Sequence, residues 1–115
     1  MFDFTPMTFE ELSNFTDEYS RRLEIQFGKY DDKEKLILSS TVKLTEELGE
    51  LCDEVMAFNS RQRKEKTADH SSEDLPAEFA DVLLAVFMLA KDMNIDLDEA
   101  VKKKIKKIKA KYELF

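Results

Sequence analysis

Apolar and polar positions recur every three to four residues in four stretches of the chain, the period of a helix that turns one face to a core. The first stretch opens at Thr8, where Glu11 three residues on completes a capping-box pattern, and runs towards Phe27. "GKYDDKEK" breaks it. The second runs from about Lys33 to Arg63, with Ile37, Leu44, Leu48, Leu51, Val55 and Phe58 as its stripe. The polar, aperiodic "RKEKTADHSSED" predicts a loop. A third helix follows, capped by Ser72 or Asp74, with Pro76 tolerated in its first turn, and reaches about Met93. "NIDLDEA" is the next connection, where Asp96 and Glu99 make a second capping box. The fourth helix sets Leu97, Val101, Ile105, Ile108 and Tyr112 on one side and lysines around the rest. No stretch alternates at the period of a strand. The pattern predicts an all-α, four-helix, bundle-like fold in a single domain over residues 1–115.

Composition supports a folded helical protein: 43% of residues are hydrophobic, and two glycines and two prolines leave few breakers. No apolar run approaches the ~20 residues of a membrane span. The start, "MFDFTPMTFEEL", is acidic where a secretory leader is basic. A cytoplasmic protein without membrane contact is the expectation. One cysteine, Cys52, leaves no internal disulfide and no multi-cysteine zinc site. The net charge of −7 is uneven: residues 101–115 hold seven lysines and one glutamate, so they carry +6 and the remainder −13. An acidic body argues against nucleic-acid binding, where phosphate contacts dominate affinity.

The acidic residues themselves raise a question. "TEELGELCDEV" packs Glu46, Glu47, Glu50 and Glu54 into one short stretch, and like charges three or four apart on a helix repel. At 100° per residue, Lys43, Glu47, Glu50, Glu54 and Arg61 share a face that reads as roughly opposite the leucine stripe. Taken alone, that is the wet side of an amphipathic helix. The third helix changes the picture. Glu78 and Asp81 also share a face, and nine apolar residues, Val82 to Ala90, follow. A helix apolar on every side is buried on every side, and a carboxylate leading into it needs a cation or hydrogen-bond donors. Some of that girth must meet another subunit, so a homo-oligomer is expected. Two such helices side by side present four carboxylates, an oxygen-only site suited to Mg²⁺, with Mn²⁺ as substitute. Carboxylate-bridged di-iron sites in bundles use Glu-x-x-His motifs, and the one histidine, His70, falls in the predicted loop.

"EELGE" at 46–50 and "EFAD" at 78–81, with 27 residues between them, resemble the EExxE…ExxD signature of MazG-like nucleoside triphosphate pyrophosphohydrolases. The similarity continues through "DVLLAVFMLAKDMNIDLDEAVKKKIKKIKAKY". The resemblance implies a MazG-type fold whose helices associate between subunits, as homodimer or homotetramer. It implies Mg²⁺-dependent hydrolysis of (deoxy)nucleoside triphosphates to monophosphate and pyrophosphate, a reaction of nucleotide-pool cleansing. Carried over by position, Glu47, Glu50, Glu78 and Asp81 are metal ligands, and Glu46 or Glu50 is the catalytic group that orients or deprotonates water. Lys104, Lys111 and Tyr112 match basic and aromatic positions of relatives, which makes the two lysines phosphate-binding candidates. Ile108 stands where relatives carry an asparagine, and a solvated lysine face is an equal reading. No Walker-type loop is present. Two alternatives stay open: a non-catalytic nucleotide-binding or regulatory oligomer of the same fold, and a structural bundle whose glutamates face water.

Overall fold

The computed structural model describes residues 5–64 and 74–113, with the backbone alone for 61–64. Among the described residues there are four helices and no strand: α1 Phe9–Phe27, α2 Lys33–Lys64, α3 Asp74–Asp92 and α4 Leu97–Lys111. Of the predicted loop, Arg63 and Lys64 belong to α2 and Asp74 to α3, while residues 65–73, with His70 and Ser72, and the side chain of Arg61 lie outside the described residues.

Local chemistry sets the ends. Thr8 caps α1 with both halves of the box: its hydroxyl accepts from Glu11 N–H at 3.0 Å, and Glu11 Oε1 accepts from Thr8 N–H at 3.0 Å. Gly28 ends the helix at φ 91°, a conformation that disfavours side chains, and its N–H closes on Glu24 O. Asp74 is the first residue within α3. That helix stops where Asn94 turns left-handed at φ 56°. Asn94 N–H then reaches Lys91 O and Ile95 N–H reaches Ala90 O, the paired bonds of a Schellman end. At α4 the second capping box is half made. Asp96 accepts from Glu99 N–H at 3.1 Å, but the Glu99 carboxylate pairs with Lys103 at 3.0 Å instead.

The packing centres on α3. It packs against α2 and against α1, where Phe9 meets Phe87 at 5.0 Å between ring centroids and Lys91 pairs with Asp17 at 3.6 Å. Among the described residues the buried apolar side chains are Ala85, Phe87 and Ala90, all on α3. Every residue of α4 beyond Leu97 is exposed. The face of α2 turned to α3 carries Ser40, Leu44, Glu47, Leu51 and Glu54, each buried or half-buried. Leu38, Val42, Thr45, Gly49, Cys52 and Met56 form a separate, fully exposed row at alternating steps of four and three residues.

Candidate metal centre

The acidic face is not opposite the leucine stripe. Glu47 lies only about 60° around α2 from Leu44, and the two faces are about a quarter-turn apart. Packing splits that difference. Leu44 and Leu51 turn to α3 together with Glu47 and Glu54, while Leu48 and Val55 stay 48% and 41% exposed. Part of the supposed wet face, Glu47 and Glu54, therefore meets α3, while Lys43 and Glu50 stay exposed.

This rotation brings carboxylates of both helices together. Glu47 and Glu50 from α2 and Glu78 from α3 each place an oxygen within 4.8 Å of the others. Glu47 is buried and Glu78 half-buried, and one oxygen of each, both Oε2, is out of water without a hydrogen-bond partner. A buried carboxylate oxygen without a donor is costly unless a cation meets it. Lys43 supplies one cation from the rim, with Nζ 2.9 Å from the other oxygen of Glu47. That bond, then the charges of Glu47, Glu46 and Glu50, raise the Lys43 pKa above its ordinary value. Glu78 is pushed up too, first by desolvation and then by the charges of Glu50, Asp81, Glu47 and Glu54.

The other predicted site residues sit further out. Asp81 is one turn beyond Glu78, exposed, and its oxygens are not among the three that converge. It lines, with Glu47, a cleft of about 980 Å³ between α1, α2 and α3. Glu46 is exposed on the rim. Lys104 and Lys111 lie on the exposed α4, and Lys111 rests 5.4 Å from the centre of the Tyr112 ring. The structure does not bring them to the carboxylates. One pair escaped the sequence reading. Ser40 donates a short hydrogen bond to Asp92 Oδ2 at the inner part of the same cleft. Its signal was present, since Ser40 lies two turns before Glu47 and Asp92 three turns after Asp81, on the same faces.

The donor set fits a hard divalent cation: three carboxylates, no nitrogen or sulfur donor among them, and two buried oxygens without partners. Residues 37–113, two thirds of the chain, match the family model of the MazG nucleotide pyrophosphohydrolase domain. The chain belongs to that family. The match spans α3, α4 and all but the first turn of α2 and leaves α1 outside, so every carboxylate of the site lies within the MazG domain. Nucleotide pyrophosphohydrolysis is the activity the family carries in its description. Comparison with curated proteins and with solved structures gave no match.

Proposed function

We propose that this MazG domain hydrolyses nucleoside triphosphates to monophosphate and pyrophosphate with Mg²⁺, in the service of nucleotide-pool cleansing. The observation that carries the reading is the convergence of Glu47, Glu50 and Glu78 across two helices, with buried oxygens lacking donors. Those three would hold the cation, and Asp81, a turn away on α3, would complete the set by a change of rotamer. A divalent ion there supplies positive charge for the triphosphate and a more acidic water. Glu46 or Glu50, both open to solvent, takes the proton as water attacks the α-phosphorus. The bond from that phosphorus to the bridging oxygen breaks, and pyrophosphate leaves. Lys104 and Lys111 would serve the phosphates when α4 of another subunit approaches.

Assembly is part of the proposal. Leu38, Val42, Leu48, Val55 and Met56 on α2, and Phe79 and Leu83 on α3, are 41–66% exposed, more apolar surface than a lone soluble domain tolerates. A homodimer or homotetramer would cover it.

The test is pyrophosphate release from a nucleotide panel with and without Mg²⁺. Turnover is expected with the metal and not without it. Glu78→Gln and Asp81→Asn should each lower the rate about 100-fold or more while the fold persists by circular dichroism. Wild-type rates in both variants would remove these residues from the site.

A further inference from the structure

The cleft beside the carboxylates has two ends of different character. At one end lie Glu47 and Asp81. About 10 Å along α2, two helical turns from Glu47, the Ser40 hydroxyl holds the Asp92 carboxylate. Leu84 and Met88 of α3 line the stretch between, with Lys43 on the α2 side, and Leu36 lies a turn beyond Ser40. The volume, about 980 Å³, is at the upper end for small-molecule pockets, which are largely apolar with a few placed polar groups. Asp92 is 9% exposed, so it is nearly withdrawn from bulk water yet still borders the cleft.

We propose that the base of the nucleotide lies in this cleft and that Asp92 selects bases carrying an amino group. This rests on the carboxylate site holding the triphosphate. With the phosphates anchored by metal at Glu47, an extended nucleotide directs its base along the apolar walls and away from the exposed rim. Its far edge then reaches the Ser40–Asp92 pair. The hydroxyl of Ser40 is committed to Oδ2, which fixes the carboxylate and leaves its second oxygen to accept. An ionised carboxylate only accepts hydrogen bonds. Cytosine and adenine offer exocyclic N–H groups there, and guanine offers adjacent ring and exocyclic N–H groups. Uracil and thymine set their single N–H between two carbonyl oxygens, so a carboxylate meeting that edge also faces an oxygen of like charge. Asp92 is thus a specificity residue and Ser40 its positioning partner.

The experiment measures binding to the full chain, by calorimetry with Mg²⁺, of non-hydrolysable α,β-imido analogues of dCTP, dATP, dGTP, dUTP and dTTP. The amino-bearing bases should bind at least about tenfold tighter than dUTP and dTTP, the effect of one good base contact. Asp92→Asn can donate to a carbonyl, so it should bring the five affinities to within about threefold by strengthening dUTP and dTTP. Ser40→Ala should narrow the ratio in the same direction, and thermal melts will show that each variant is folded. A structural role for the pair would weaken all five analogues alike, and that result overturns the inference. Equal binding of all five by the wild type also overturns it, while leaving the carboxylate site standing. Binding of none overturns both.

Discussion

At the scale of single residues, Glu78 is where the geometry has a measurable electrostatic cost. Desolvation and four neighbouring carboxylates raise its pKa above the ordinary 4.5. A raised carboxylate gives stability that is fully present below 4.5 and lost as pH rises through the folded value. Glu78→Gln should therefore raise the melting temperature of metal-free protein at neutral pH, with the gain vanishing below pH 4.5. Melts of both proteins across that range test this, and parallel profiles would assign the strain elsewhere. Lys43 acts in the opposite sense, since its ammonium already meets Glu47. Helix pairs of this spacing are worth about 0.3–0.5 kcal/mol when exposed, and here the lysine is exposed while Glu47 is buried. Lys43→Met should then tighten Mg²⁺ binding about twofold in a calorimetric titration, and unchanged affinity would show that the ammonium does not compete. Three-residue spacing made Glu47 with Glu50, and Glu78 with Asp81, legible from the sequence. What spacing could not give is how far α2 is rolled against α3. That roll buries Glu47 and leaves Asp81 outside the cluster of three.

At the scale of elements, the ends of helices were legible because caps are local. Thr8 and Glu11 needed no partner beyond three residues, and the structure has both of their bonds. Thr8→Ala should lower unfolding free energy by about 1 kcal/mol in urea. The Glu11 pKa is lowered, first by its bond to the Thr8 backbone and then by the Thr8 hydroxyl. Its share of the stability is present above 4.5 and lost as pH falls through the lowered folded value. Alanine keeps the backbone donor, so only the hydroxyl's smaller part of the Thr8→Ala deficit should shrink in acid. A deficit that holds at all pH would mean that the hydroxyl acts through its bond from Glu11 N–H alone. The half-made box at Asp96 shows the limit of such reading: a nearby lysine draws Glu99 away. The lysine stripe of α4 was equally plain in the sequence, but no local rule says what the helix packs against.

At the scale of the whole molecule, the proposed assembly rests on the apolar side chains that the described residues leave uncovered. Leu38, Val42, Leu48, Val55 and Met56 on α2 and Phe79 and Leu83 on α3 are each more than 40% exposed, a surface that a second subunit would cover. The all-apolar run at 82–90 raised the same expectation in the sequence, and within it the chain leaves only Leu83 exposed. Leu83, 50% exposed, is the sharper probe of that surface, because Leu84 and Leu89 are half-covered by the chain itself. Leu83→Glu should halve the mass seen by light scattering and reduce pyrophosphate release with it. An unchanged mass would place the interface on another face.

Gly49 would give the proposed interface a ruler. It sits mid-helix in the exposed row between Thr45 and Cys52, and a methyl group built on it meets nothing within 4 Å. In an isolated helix such a glycine costs about 1 kcal/mol relative to alanine. A row of small side chains at alternating four- and three-residue steps is also where two helix backbones can slide closest, as knobs seek shallow holes. Gly49→Ala therefore splits the two states: dilute, dissociated chains should unfold at higher denaturant, while the concentration at which they associate should rise. Were alanine to strengthen the protein at every concentration, the groove would be water-filled even in the assembled particle, and the helices would meet along a different seam.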